Sequence, residues 1–368
     1  MKYMINVSGK KHSTFASVVF VFFALALIFA HCSQSDTDTK RQSRELTELQ
    51  NRTLTFISPL PANAFAEEMI PPEEIIELGK MLYYEPRISK SGLISCNTCH
   101  NMATFGVDQL PVSIGHGWQK GLINAPSVLN AAFHETQFWD GSAADVEEQA
   151  GMPILDKLEM AATEEHVIAG LSSMPDYVER FRKAFPGQEN PLVYDNVGLA
   201  LGAFERTLVT KSPFDHFLQG DDGALTNQQK EGLELFLNTG CQACHRGVVM
   251  GGDMFAFFNT PKEKETGKAH PGRFDFTGRE ADKHFFKVPS LLNVAQTYPY
   301  LHDGSVWKIE EAIHIVAKDM LNKELSSEEI GLLAAFLESL TGEIPEYALK
   351  LPVLPPSTKY TPRPRFDI

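Results

Sequence analysis

Apolar residues recur at helical spacing along most of the chain. PPEEIIELGKMLYYEP, from Pro71, carries them three and four apart, with Glu73 and Glu74 in the first turn, where the helix dipole favours carboxylates. Residues 163–185, TEEHVIAGLSSMPDYVERFRKAF, keep the spacing but break at Pro175, which lacks a backbone donor. The period returns in 191–209 and in 226–237, where Thr226 is placed to act as N-cap. SSEEIGLLAAFLESLTG then runs from a serine cap to a glycine stop. Few stretches alternate with period two, so the pattern predicts a mainly α protein with long loops. Those loops, around 101–160 and 246–300, exceed the usual connection in a compact domain, and long ordered loops generally wrap something or carry function. LPVLPPSTKYTPRPRF is Pro-rich and predicts an extended tail lying on the body.

One apolar run stands apart. Phe15 to Ala30 follows Lys2, Lys10 and Lys11 and suits a signal-peptide core better than a spanning helix. Cys32 comes next, where a bacterial lipoprotein carries its lipid, although His31 occupies a position that usually holds a small residue. The polar SQSDTDTKRQS follows. This reads as an export signal over 1–31 and a linker over 32–66, with a periplasmic destination and Cys32 as the candidate lipid anchor; simple cleavage near Ala30 and an uncleaved anchor are the alternatives. Length changes the picture only by allowing two ordinary domains in 368 residues. A formal net charge of −14 argues against nucleic acid as a partner.

Four of the five cysteines decide the chemistry. CNTCH at 96–100 and CQACH at 241–245 are both Cys-x-x-Cys-His, the pattern of c-type haem attachment. The cysteines Cys96, Cys99, Cys241 and Cys244 would bond the haem vinyl groups, and His100 and His245 would bind iron from one side. Disulfides are open to an exported protein, but the spacing argues otherwise. A zinc site needs paired units close together, and a thioredoxin-like motif needs a βαβ context. In GLELFLNTGCQACH a helix leads directly into the motif, as haem delivery requires. Whether each iron has a second ligand or an open site separates electron carrier from enzyme.

ISCNTCHN, GVDQLPVSIGHGWQKG, NAPSVLNAAF, QFWDGSAADVEEQA, SPFD, GCQACH, NVAQTYPYLHDGSVW and STKYTPRP, in this order over roughly 70–368, resemble the bacterial di-haem cytochrome c peroxidase family. The resemblance implies two cytochrome c-like domains. A peroxidatic domain spans 67–209, an electron-accepting domain 210–343, and a tail over 344–368 packs back on the body. It implies two covalent haems and one calcium ion, with electrons passing from a small cytochrome c or cupredoxin to hydrogen peroxide, commonly in a homodimer. Carried over by position, His116 matches the removable second ligand of the N-terminal haem. Trp139 matches the tryptophan between the haems, Gln149 the active-site glutamine and Glu159 the catalytic glutamate. Asn124 and the carbonyls of Thr297 and Pro299 match the calcium contacts. The family's methionine ligand of the second haem falls on Val316, which cannot bind iron. Met320 lies one helical turn further on, and His314 and His302 are alternatives. The departure leaves two other readings open: a related di-haem oxidase that modifies a protein partner, with a tyrosine ligand, and a non-enzymatic electron-transfer protein.

Overall fold

Helices occupy the periodic stretches of the sequence. The computed structural model describes residues 45–66 and 69–367. The export signal, Cys32 and the first part of the linker lie outside the described residues. Along the chain come α1 (Glu48–Leu54), α2 (Glu73–Tyr83), α3 (Cys96–Cys99), α4 (Val146–Leu155), α5 (Glu164–Ser172), α6 (Pro175–Ala184) and α7 (Tyr194–Glu205). Then follow α8 (Pro213–Leu218), α9 (Asn227–Thr239), α10 (Pro261–Thr266), α11 (Phe274–Thr277), α12 (Ile309–Leu321), α13 (Ser327–Glu338) and α14 (Glu346–Leu349). One short antiparallel pair, β1 (Phe255–Phe257) and β2 (Phe285–Lys287), joins Phe255 to Lys287 across the ladder.

The helices build two cores. Leu82, Tyr83, Ile154, Val167, Phe181, Leu201 and Phe204 are among the residues of the first. Phe214, Phe217, Leu233, Phe236, Phe336 and Leu340 belong to the second. In each, the helix ahead of the cysteine motif crosses the last long helix at a glycine. A Cβ on Gly79 of α2 would lie 1.8 Å from the Ala200 carbonyl oxygen of α7, and one on Gly232 of α9 would lie 2.0 Å from that of Leu332 in α13. Only glycine allows backbones this close, which outweighs its cost of about 1 kcal/mol in a helix interior.

Local signals set most ends. Thr226 caps α9 in a capping box with Gln229, and Ser326 caps α13 with Glu329. Pro175 opens α6 at its first turn, so 163–185 folds as two helices. α13 stops at Glu338, short of Gly342. Gly342 instead lies against the Thr210–Lys211 backbone, where an added Cβ would be 2.6 Å from the Thr210 carbonyl oxygen.

The linker reading is corrected over 45–60. This stretch straps the second core. Thr47 and Gln50 cap α1, the Gln50 amide donates to the Phe217 carbonyl (2.7 Å), and Leu60 N–H donates to Asp215 Oδ1 (2.9 Å). Buried Ile57 and Leu60 supply the apolar contact that holds it there. After α14 the tail is extended, as its prolines predict, and lies on the first core. Ala348 is buried in that core, Arg87 donates to Ser357 Oγ (2.9 Å), and Thr358 Oγ1 donates to the Ser173 carbonyl (2.9 Å).

Candidate functional site

Each cysteine motif sets its histidine in the same way. Cys96 and Cys99 lie on the single turn of α3, and His100 N–H donates back to the Cys96 carbonyl (2.9 Å). His245 N–H donates to the Cys241 carbonyl (3.0 Å). His100 Nδ1 sits 3.3 Å from the Gly106 carbonyl, and His245 Nδ1 sits 3.0 Å from that of Met250. A carbonyl only accepts, so both Nδ1 atoms carry the proton and both Nε2 atoms keep a lone pair. Burial lowers the pKa of both imidazoles and keeps them neutral. This is the arrangement of a histidine ready to bind a metal.

The thiols narrow the alternatives. Cys96, Cys99, Cys241 and Cys244 form no disulfide. Burial pushes Cys99 and Cys241 up to about 11, and Cys96 higher, the opposite of a redox-active thiolate. Among the described residues, no three His, Cys, Asp or Glu side chains converge as a metal cluster, so zinc has no ligand set. Unpaired thiols beside an imidazole with a free Nε2 fit covalent haem.

Beside the first motif lies a cavity lined by Cys96, Cys99, His100, Gln149, Glu159 and Glu205, together with Pro153 and Met160. α4 brings Gln149 there. Its seat on α7 is fixed by Gly198 and Gly202, where an added Cβ would meet the Glu147 carbonyl oxygen at 2.7 Å and the Glu147 side chain at 2.6 Å. The fork of Arg206 then grips both Glu147 carboxylate oxygens (2.6 and 2.7 Å). Glu159 follows on a turn closed by Met160 N–H to the Pro153 carbonyl (3.3 Å). Burial, aided by nearby Asp156, pushes the Glu159 carboxyl up to about 7.

Sequence reasoning missed Glu205. Burial pushes this carboxyl up to about 8, with Glu147 adding to the rise and Arg206 opposing it. The available signal was its place. It ends the apolar helix YDNVGLALGAFE, where the helix dipole disfavours an anion.

His116 is brought near this site but does not line the cavity. It is buried, its N–H donates to the Glu159 carbonyl (2.6 Å), and its Nε2 lies 2.9 Å from the Asp367 carbonyl of the tail. Gly115 before it rests on Leu158 and Glu159, with 1.9 Å from an added Cβ to the Leu158 carbonyl oxygen. Trp139 lies where segments that follow the two motifs meet. Its Nε1 donates to the Asn124 carbonyl (2.8 Å), its own carbonyl accepts from Lys287 N–H (2.7 Å), and its ring stands edge-on to Phe286 and His302.

Asn124 N–H donates to the His302 carbonyl (2.8 Å), which sets the Asn124 loop against the segment that holds Thr297 and Pro299. The Asn124 amide nitrogen donates to the carbonyls of Leu110 and Pro111 (2.9 and 3.3 Å), which turns its oxygen away from them. Carboxamide and carbonyl oxygens are the ligand type a calcium ion takes. Met320 is exposed on the last turn of α12, on the helical face shared by Ile313, Val316 and Ala317. His302 is engaged elsewhere. It is buried, its Nε2 is 3.0 Å from Glu263, and its ring stacks on Phe286.

The family model for di-haem cytochrome c peroxidase matches residues 73–223. The cytochrome c551 peroxidase of Pseudomonas aeruginosa is 43% identical over 88% of this chain and 99% of its own. The chain belongs to the di-haem cytochrome c peroxidase family. The cytochrome c551 peroxidase of Nitrosomonas europaea is 47% identical over 79% of this chain and 86% of its own. Among solved structures, a MauG-like protein associated with microbial copper homeostasis aligns with a TM-score of 0.70 at 28% identity, over 80% of this chain and 97% of that one. Membership makes the enzyme a haem oxidoreductase whose mainly α fold carries two c-type haems. Among the described residues no helix is long and apolar enough to cross a membrane.

Proposed function

We propose that this enzyme reduces hydrogen peroxide to two waters, taking two electrons from a small redox protein and two protons. Cys96, Cys99 and His100 would hold the peroxidatic haem, and Cys241, Cys244 and His245 would hold the haem at which electrons enter. When bound, the first haem supplies the iron at which peroxide is taken and reduced. The observation that carries the reading is the cavity. It sets a carboxyl with a pKa of about 7 and an amide beside the same cysteine–histidine motif.

Glu159 moves the proton. Near neutral pH its carboxylate would take a proton from one peroxide oxygen and pass it to the other, so that the O–O bond breaks with release of one water, and the two electrons and two further protons turn the remaining oxygen into the second. Gln149 holds peroxide or water by hydrogen bonds and, being an amide, does not titrate. Trp139, between the segments that follow the two motifs, supplies polarizable surface between the redox centres. Asn124, Thr297 and Pro299 would hold a calcium ion that fixes these segments. Met320 is the candidate second ligand of the C-terminal haem, its thioether raising the potential for electron uptake.

His116 gates the site. At rest it would hold the first iron, and in the arrangement seen here it is turned to the tail. The related protein-modifying oxidases lack a removable histidine at that haem, so His116 counts against that reading, while Val316 in place of the methionine ligand keeps it open. Export to the periplasm, lipid attachment at Cys32 and a homodimer complete the proposal. The test is peroxide turnover with a reduced cytochrome c. Turnover by the intact enzyme and its loss in Glu159→Gln with both haems attached supports the reading, and no turnover after pre-reduction refutes it.

A further inference from the structure

His116 has one nitrogen in contact with the tail. Its Nε2 lies 2.9 Å from the Asp367 carbonyl oxygen, and its Nδ1 is buried with no hydrogen-bond partner. Since a carbonyl only accepts, Nε2 carries the proton in this arrangement. A protonated imidazole nitrogen has no lone pair for iron. Nε2 can therefore serve the tail or iron, never both at once.

The tail end is built to hold this position. Lys90 donates to the same Asp367 carbonyl and pairs with the Asp367 carboxylate (3.3 Å). Arg365 N–H donates to the Lys90 carbonyl (3.0 Å), and Arg365 Nη2 pairs with Asp367 (3.1 Å). Pro364 covers Gly92, with 3.3 Å from an added Cβ to the proline ring. Lys90 is tied to the catalytic segment as well, because its N–H donates to the Met160 carbonyl (3.0 Å), next to Glu159.

We infer that the C-terminal tail is a latch that positions His116 away from the first haem and so favours the peroxide-reactive state. The inference rests on the reading of His116 as an iron ligand at rest. The tail's Asp367 carbonyl and the iron compete for one nitrogen, and docking of Arg365–Asp367 on Lys90 weights the competition towards the tail. Loss of the tail end returns His116 to iron. Removing one hydrogen bond of ordinary net strength shifts such an equilibrium by about fivefold.

The experiment uses the full holoenzyme, half-reduced, with the spin state of the N-terminal haem read by electron paramagnetic resonance and absorption. Five proteins are compared: the intact chain, a chain ended after Pro364, Lys90→Met, and His116→Gly in both lengths. Haem content and thermal midpoint report whether each variant is folded. The latch predicts a shift of about fivefold towards the low-spin, doubly histidine-ligated form in the shortened chain, and a smaller shift the same way in Lys90→Met. In His116→Gly the haem should be five-coordinate at either length. A wild-type balance in both the shortened chain and Lys90→Met, with His116→Gly five-coordinate, overturns the latch and leaves the gate standing. An unchanged oxidised-state spectrum in His116→Gly overturns the gate, and the latch with it.

Discussion

Glu159 and Glu205 line one cavity, yet their surroundings suit them to different work. Glu159, raised to about 7, is part ionised at neutral pH and able to pass a proton in both directions. Glu159→Gln should cut peroxide turnover about 10²- to 10⁴-fold while both haems stay attached. In the parent enzyme kcat/KM should rise with pH through about 7, as the carboxylate that accepts the peroxide proton forms. A pH–rate profile that keeps this limb in Glu159→Gln would assign it to another group. Glu205, raised to about 8, is mostly protonated at neutral pH. Its folded pKa lies above the unfolded value, so the folded state binds the extra proton and stability falls as pH rises from about 5 through 8. Glu205→Gln should remove much of that fall, worth roughly 3 kcal/mol at pH 9 after allowance for relaxation of a buried site. Equal pH dependence of thermal unfolding in variant and parent would refute this.

At the scale of elements, glycines set the spacing. Gly79→Ala or Gly232→Ala forces a methyl group into a facing carbonyl and should destabilise its core by about 1–3 kcal/mol. An unchanged midpoint in denaturant unfolding would contradict the close crossing. These crossings were not legible in the sequence, because a helical glycine looks like a weak helix former until its neighbour is known. The long helices were legible, since period, caps and Pro175 all act locally. The seven-residue α1 was not: it is too short to stand without the second core, and its capping box sits in polar sequence that reads as linker. Cys-x-x-Cys-His, Gln149 and Glu159 could be named from motif and resemblance. Glu205 and Asp367 could not, because each reaches its place through contacts between distant parts of the chain. Asp367 meets His116 across 251 residues.

At the scale of the whole molecule, two cores hold two cysteine–histidine motifs, and the segments that follow the motifs meet at Trp139, Asn124 and His302. On the proposed path, electrons accepted at the second motif would cross this junction to reach the cavity beside the first. A cation held by Asn124 and the 297–299 carbonyls would stiffen it. Chelation should therefore lower turnover with a reduced carrier while both haems remain bound, and a steady-state assay before and after calcium is restored checks this. The central claim is that peroxide is reduced at the first motif with Glu159 as proton carrier. It is tested most directly by turnover of hydrogen peroxide with reduced cytochrome c, in parent and Glu159→Gln enzymes shown to carry two covalent haems. The account predicts two cytochromes oxidised per peroxide in the parent and near-complete loss in the variant. Near-parental turnover in the variant, or none in the pre-reduced parent, would contradict it.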